Sequence, residues 1–296
     1  MTFGHAAGAC LLWNIQEEMG PANLHFHHRP VATPAQWVLA SPSEHPFHIN
    51  WSLYMRLPLT IAACTAFAFF AAAETRPSQS WETFSGPVKI TPIFHASLLI
   101  EAGGKTIYVD PANPGNFAGL PPADLILITD IHGDHMDPAT ILSVSKADTE
   151  IWAPSAVVKT VTKGHSMSNG ESKTWGGWTI EAIPMYNVVR GPSAGTLYHD
   201  KGRGNGYVLT YGGKRFYFSG DTEGIPEMRA LKNIDVAFVC MNLPYTMPPD
   251  EAAAAVKAFH PKTVVPYHYR GSDLSVFQKG LEGTGIEVRL LEWYPK

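Results

Sequence analysis

The sequence predicts an α/β domain, and three observations lead to that prediction. Short apolar runs alternate with turn signals such as Gly103-Gly104 and Gly212-Gly213 throughout the chain after residue 85, a pattern typical of strands. In the later part of the chain these runs alternate with helical patterns, as in parallel α/β units. Several runs end abruptly in polar residues, and loops at strand ends are where α/β proteins place their chemistry.

The individual elements follow from these patterns in chain order. Each predicted strand is a short apolar run bounded by turn residues, and the strands cover 88–93, 97–101, 106–109, 125–128, 178–183, 207–210, 215–218, 236–239, 263–265 and 287–291. The predicted helices carry apolar residues at helical spacing, and several begin at a proline. They cover 138–145, 154–160, 225–231, 249–259 and 274–281.

The composition fits one globular domain with a large core. The chain has 296 residues, of which 45% are hydrophobic and 16% charged, which is ample for such a domain. The net charge is -4 and no Lys/Arg-rich run occurs, so nothing suggests nucleic acid as a partner. A small-molecule substrate is expected instead.

Residues 55–73 have the three parts of a secretory signal peptide. A basic residue, Arg56, precedes an apolar stretch over 57–70, and three small residues follow at 71–73 before Glu74. An uncleaved membrane anchor is the competing interpretation, but the run is short for a membrane span. We therefore expect cleavage, a periplasmic or secreted protein, and no stable membrane anchor in the mature chain.

The segments on either side of the signal-like stretch are predicted to lie outside the folded domain. Because a signal peptide should begin a protein, residues 1–54 are predicted to be a non-native or disordered extension, and the polar residues 74–86 a linker. Cys10 and Cys64 lie before this linker, so the mature chain keeps only Cys240 and can form no internal disulfide. Cys240 ends an apolar run and is predicted to be a buried core residue.

The stretch after the predicted strand 125–128 is the strongest chemical signal. Four side chains that can bind a metal fall within six residues: Asp130, His132, Asp134 and His135. Nitrogen and oxygen ligands on one rigid turn suit zinc, manganese or iron. The alternative is a solvated polar loop that caps a helix at Asp137, but a cap explains none of the other four side chains.

Three later segments share the arrangement of a strand followed by a metal-capable or polar residue. Asp221 follows Gly220 at one strand end, where a glycine lets the backbone approach closely, and His268 follows another strand. Asn187 follows the strand predicted over 178–183. Each residue alone has an ordinary interpretation as a turn or loop residue, and only their combination with the first cluster indicates a metal centre.

The order of these segments resembles the metallo-β-lactamase superfamily, whose pattern is His-x-His-x-Asp-His, a single His, Gly-Asp and a late His, each at a strand end. The resemblance covers residues 87–296 and implies an αββα sandwich with a metal site at one edge. The chain is most similar to the branch that contains the ascorbate-6-phosphate lactonases and the phospholipase D acting on N-acylphosphatidylethanolamine, on the segments 95–100, 109–111, 220–222, 225–228, 245–247 and 266–269.

Two departures from the family pattern affect the expected metal ligands. The first metal position keeps His132 but has Asp130 where the family has His, and its third ligand is either Asn187, which stands near the family's single His, or His199. The second metal position is intact, with the residues Asp134, His135 and His268. Asp221 is able to bridge the two positions, so one or two divalent ions are expected, with zinc favoured and manganese or iron suited to the harder oxygen ligands.

The resemblance implies an exported metal-dependent hydrolase in which a metal-activated water attacks an ester-type bond, with phosphodiesters and lactones favoured. The expected catalytic residues are Asp134, Asp221, Tyr245 and His199, the last two as candidates for stabilising an oxyanion or protonating the leaving group. The alternative is a non-catalytic periplasmic protein that binds a metal or ligand and has a degraded first site. His95 lies outside the ligand pattern and is either a supporting residue or an ordinary core histidine.

Overall fold

The computed structural model of the chain describes residues 76–161 and 163–294. The predictions for the extension 1–54 and the signal peptide 55–73 lie outside the described residues, as do Cys10 and Cys64. Within the described ranges, no helix is long and apolar enough to cross a membrane.

The first half of the described chain forms a seven-stranded sheet whose strands follow one another in chain order. The pairs from β1 to β4 are antiparallel and those from β4 to β7 are parallel. Two helices belong to this half, α1 (Pro138–Val144) and α2 (Ser155–Val158). The strands are β1 (Gln79–Trp81), β2 (Val88–Phe94), β3 (Ser97–Ala102), β4 (Lys105–Val109), β5 (Ala123–Leu127), β6 (Ser145–Ala153) and β7 (Gly164–Ser166).

The second half forms another seven-stranded sheet, again with neighbours in chain order. Here β8 to β11 are antiparallel and β11 to β14 are parallel. The helices are α3 (Pro226–Arg229), α4 (Pro249–Phe259) and α5 (Leu274–Leu281). The strands are β8 (Ser172–Trp175), β9 (Trp178–Met185), β10 (Gly204–Tyr211), β11 (Lys214–Phe218), β12 (Val236–Cys240), β13 (Thr263–Tyr267) and β14 (Glu287–Val288).

The two sheets pack face to face, with helices on their outer surfaces. Trp81 of the first sheet meets Phe216 and Phe238 of the second at ring distances of 6.0 and 6.1 Å. Alternate residues of β3 and β4 point to opposite faces, so Ile107 joins the core between the sheets while Tyr108 joins a smaller core that includes residues of α1 and α2. The arrangement is the predicted αββα sandwich.

The structure agrees with many predicted elements and differs where the sequence pattern is weak. The bounds of α4 and α5 are as predicted, and Cys240 is buried in the core. The strands β6, β7 and β8 were not predicted, because each contains several polar residues and shows no continuous apolar run. Conversely, the predicted strand 287–291 is paired only over Glu287–Val288.

The predicted linker 74–86 differs from the structure. Its residues Gln79–Trp81 form β1, which pairs antiparallel with β2. Trp81 supplies the reason, since its ring is only 8% exposed and packs in the core between the sheets. A single large aromatic side chain is enough to attach an otherwise polar segment to the sheet.

A first prediction concerns the core that holds the sheets together. Replacing Phe238 by Ala should lower the free energy of unfolding by about 3 to 5 kcal/mol, because its buried ring contacts Trp81, Phe218 and Trp293 and its loss leaves a cavity. Urea denaturation measures the change. Phe84→Ala is the matched control, since Phe84 is 99% exposed; equal stabilities of the two variants would contradict this packing.

Candidate metal centre

Four loops at strand ends bring the predicted site residues together. The loop after β5 carries Asp130 to His135, the loop after β11 carries Asp221, and His268 directly follows β13. The long connection from β9 to β10 carries Asn187 and His199. Since β5, β11 and β13 all take part in parallel pairing, the site forms at the strand ends where α/β folds place ligands.

Gly220 allows Asp221 to enter the site. Its backbone has φ +61°, and a Cβ at this position would lie 2.5 Å from the Met185 sulfur. The Gly220 amide donates a hydrogen bond of 2.8 Å to the Tyr267 hydroxyl. The close backbone approach that the sequence predicted at this glycine is therefore present.

The second metal position gathers its three predicted residues around Asp221. His135 Nε2 and His268 Nε2 each lie 3.3 Å from an Asp221 carboxylate oxygen, and His268 Nε2 lies 3.4 Å from Asp134 Oδ2. The side chains of His135, His268 and Asp221 are almost fully buried, whereas that of Asp134 is 46% exposed. Burial would raise the pKa of Asp221, but the charges of His268 and His135 outweigh it and hold the pKa well below its usual range.

A buried carboxylate behind His135 sets the orientation of its imidazole. His135 Nδ1 lies 2.8 Å from Asp110 Oδ2, and Thr129 donates to both oxygens of Asp110 through its amide and hydroxyl. The proton held on Nδ1 by this carboxylate makes Nε2, which faces Asp221, the nitrogen that can bind an ion. The sequence analysis gave Asp110 no role, although its place directly after the strand β4 was a usable signal.

The first metal position contains Asp130, His132 and His199. Asp130 Oδ2 lies 2.8 Å from His132 Nδ1 and 3.8 Å from His199 Nε2. His199 Nε2 is also 3.3 Å from Asp221 Oδ2, so Asp221 stands between the two positions. The polar loop residue His199 is buried at 1% exposure, which no local sequence pattern revealed.

Arg203 pairs with the Asp130 carboxylate from behind. Its Nε lies 3.2 Å from Oδ1 and its Nη2 3.1 Å from Oδ2, in a bidentate arrangement. Burial would raise the pKa of Asp130, but the hydrogen bond from His132 and the neighbouring positive charges, including that of Arg203, lower the pKa to about 2. A cation therefore accompanies the aspartate that stands where the family has histidine.

Asn187 lies behind His199, and its side chain does not face the centre of the site. Its Oδ1 accepts hydrogen bonds from the His199 amide and Nδ1, while its Nδ2 donates to Glu223 and to the Tyr245 carbonyl. Of the two candidates for the third ligand of the first position, the structure places the His199 imidazole beside Asp130 and His132.

His95 lies in the site, although the family's ligand pattern gives it no role. Its ring stacks on His268 with centroids 3.6 Å apart, and its Nε2 lies 3.4 Å from Asp134 Oδ2. On the other side its Nδ1 is 2.7 Å from the Tyr294 hydroxyl. Burial outweighs the influence of Asp134 and lowers the pKa of His95 to about 4, so the imidazole is neutral at pH 7.

The donor atoms fit divalent metal ions. His135 Nε2, His199 Nε2, His268 Nε2 and Asp221 Oδ1 are buried, and none of them has a hydrogen-bond partner within the part of the chain that the structure describes. Buried polar atoms are normally paired. Unpaired imidazole nitrogens grouped around one carboxylate are the donor atoms that a metal ion requires. Imidazole and carboxylate donors suit zinc, manganese or iron.

A cavity of about 640 Å³ opens onto the centre. Apolar and aromatic residues form one wall, and Tyr198 packs edge-on against Tyr245 with ring centroids 5.1 Å apart. Arg270 lines the cavity, whereas Lys201 of the β9–β10 connection pairs with Glu227. The lining residues are His95, His132, Asp134, Tyr198, His199, Asp221, Asn242, Leu243, Pro244, Tyr245 and Arg270.

Comparison with known proteins matches this chain to one family. Residues 89–268 match the model of the β-lactamase superfamily domain. A metal-dependent hydrolase of Thermococcus kodakarensis is 33% identical over 219 residues, which are 69% of this chain and 96% of the relative. A metal-dependent hydrolase of Thermus thermophilus is 32% identical over 223 residues, with the same two shares.

Solved structures agree with the sequence matches. A protein of Parabacteroides distasonis, described as a candidate metal-dependent hydrolase, is 42% identical with a TM-score of 0.70, over 73% of this chain and 98% of its own. A metallo hydrolase of Ignicoccus hospitalis is 24% identical with a TM-score of 0.58, over 69% of this chain and 95% of its own. The latter similarity shows the fold alone.

A second prediction follows from the pairing of Arg203 with Asp130. Replacing Arg203 by Met should lower the free energy of unfolding of the metal-free protein by about 3 kcal/mol, because a buried carboxylate loses its counter-charge. Urea denaturation at pH 7 measures this change. Lys201→Met removes an exposed lysine from the same loop and should leave the stability unchanged. An Arg203→Met protein as stable as the wild type would contradict the role given to this ion pair.

Proposed function

This chain belongs to the metallo-β-lactamase superfamily and is a metal-dependent hydrolase, and we propose that it hydrolyses ester-type bonds, phosphodiesters or lactones, outside the cytoplasm. The observation that carries the proposal is the set of unpartnered imidazole nitrogens around the buried Asp221 carboxylate. Their number and placement favour an enzyme over the non-catalytic binding protein that the sequence left as an alternative.

The residues divide into two metal positions that share Asp221. Asp130, His132 and His199 would hold one ion, and Asp134, His135 and His268 the other, with zinc as the proposed metal. A divalent ion held there supplies a water of lowered pKa and a Lewis acid for the oxygen of the attacked bond. His95, stacked on His268 and close to Asp134, supports the second position from the side.

The protein's own groups orient the reaction. Asp221 is ionised and buried between the two positions, so it can accept a hydrogen bond from the attacking water and orient it. Asp134 is half-exposed on the cavity side and can carry a proton towards the leaving group. The Tyr245 hydroxyl is the proposed donor to the developing oxyanion, because Tyr245 lines the cavity and is 47% exposed.

The cavity supports the proposed substrate classes. Its volume of about 640 Å³ suits a small molecule. Arg270 offers a positive charge for a phosphodiester, and the wall formed by Tyr198, Leu243 and Tyr245 offers an apolar surface for an acyl or alkyl group. The preference for phosphodiesters and lactones over β-lactams rests on the resemblance to the lactonase and phospholipase D branch.

A third prediction tests the centre. Asp221→Asn should reduce hydrolysis of bis(4-nitrophenyl) phosphate and of δ-valerolactone by more than about 100-fold, because it removes the charge shared by both metal positions. Asp200→Asn, in the exposed part of the β9–β10 connection, is the matched control. Circular dichroism establishes that both variants are folded. Wild-type rates in a folded Asp221→Asn protein would refute the assignment, and activity on neither substrate class would refute the proposed ester-type bond.

A fourth prediction tests export. The signal-like sequence 55–73 leads us to propose that the native protein is cleaved after Ala73 and begins at Glu74. N-terminal sequencing of protein purified from its native source measures this directly. A native chain that retains residues before Met55 would contradict both the cleavage and the proposal that residues 1–54 are not part of the protein.

A further inference from the structure

Asn187 and His199 are joined by three hydrogen bonds. The Asn187 amide N–H donates to the His199 carbonyl at 2.9 Å. In return, Asn187 Oδ1 accepts from the His199 amide at 2.9 Å and lies 2.6 Å from His199 Nδ1. Both residues are only 1% exposed. The pair therefore forms a rigid unit across the β9–β10 connection.

The surroundings fix the orientation of the Asn187 side chain. Its Nδ2 donates to Glu223 Oε1 at 3.1 Å and to the Tyr245 carbonyl oxygen at 2.9 Å. Both of these partners are acceptors, so the amino group must face them and Oδ1 must face His199. An Asn side chain whose nitrogen and oxygen were exchanged would lose its bonds to Glu223, to the Tyr245 carbonyl and to the His199 amide.

Glu223 is itself held in place by the same connection. Its carboxylate accepts from the amides of Val188 and Val189 at 3.0 and 3.1 Å and from the Arg190 amide at 2.8 Å. The Arg190 guanidinium adds an ion pair at 3.2 Å. The Glu223 carboxylate that orients Asn187 is therefore held in place by its own hydrogen bonds.

This network determines where the proton of His199 resides. Because Asn187 Oδ1 can only accept, His199 Nδ1 carries a proton, and Nε2 is the nitrogen left to bind an ion. That Nε2 lies 3.3 Å from Asp221 Oδ2 and 3.8 Å from Asp130 Oδ2, and it has no hydrogen-bond partner among the described residues. The imidazole is prepared to bind an ion between these carboxylates.

We propose that Asn187 is a positioning residue of the first metal position and that it works by fixing the tautomer and the orientation of His199. The third ligand of the first position is His199, which lies 12 residues further along the chain than Asn187. The inference rests on the metal centre of the proposed function but not on the identity of the substrate.

This arrangement predicts the opposite effect of Asn187→His from the one that alignment with the family pattern predicts. If Asn187 were a degraded ligand, Asn187→His would restore the first site and raise its metal content. In the proposed arrangement the same substitution removes the acceptor for His199 Nδ1–H and both donor bonds of the Asn187 amide. Asn187→His should therefore weaken binding of the first-position ion about 10- to 100-fold.

The fifth prediction is tested with zinc as the probe. After dialysis against limiting zinc, the wild type should retain about two ions per chain by elemental analysis, whereas Asn187→His and His199→Ala should each retain about one. Asn169→Ala is the matched control, since it removes two amide hydrogen bonds outside the metal positions and should keep both ions. An Asn187→His protein that holds two ions as tightly as the wild type would overturn the proposal.

A measurement on the wild-type protein makes the test independent of variants that fail to fold. Two-bond ¹H–¹⁵N correlation spectra of the metal-free protein should show His199 with its proton on Nδ1, and zinc should shift the Nε2 resonance. A His199 Nδ1 that carries no proton in the zinc-loaded protein, or an Nε2 resonance unmoved by zinc, would overturn the proposal. Neither readout uses a substrate, so a protein that passes both but hydrolyses nothing would refute only the proposed reaction.

Discussion

The site depends on one constraint, which is that the carboxylate of Asp221 is buried at a strand end with three imidazoles facing it. Burial of a lone carboxylate is costly unless charges and hydrogen bonds compensate for it. Here His135, His199 and His268 each approach its oxygens at 3.3 Å. His135 and His199 are held from behind by hydrogen bonds, whereas His268 stacks against the ring of His95.

The support behind each imidazole differs, and the difference separates the two metal positions. His135 is held by the buried carboxylate of Asp110, which adds negative charge behind the ligand. His199 is held by the neutral amide of Asn187. Because a carboxylate partner makes an imidazole a stronger base than an amide partner does, the second position is the better donor set. The pairing of Arg203 with Asp130 increases this asymmetry by neutralising charge at the first position.

Much of the fold and part of the site could be predicted from local sequence. Strong apolar periodicity defined helices such as Pro249–Phe259 and Leu274–Leu281, and the spacing of Asp130, His132, Asp134 and His135 on one loop indicated a metal centre. The strand Gln79–Trp81 was missed because one buried tryptophan attaches it to the sheet. The contributions of Asp110, His95 and Arg203 depend on partners 25, 39 and 73 residues away, which no local pattern encodes.

The exposure of the ligands also determines how the centre is filled. Among the side chains of the two metal positions, His132 and Asp134 are almost half exposed, at 44% and 46%, whereas the others are closed off inside the fold. Both exposed residues face the cavity that would receive the substrate. Ions must therefore arrive and leave through the substrate's own entrance. A molecule bound in the cavity would block this route. The ions would therefore exchange only while no substrate is bound.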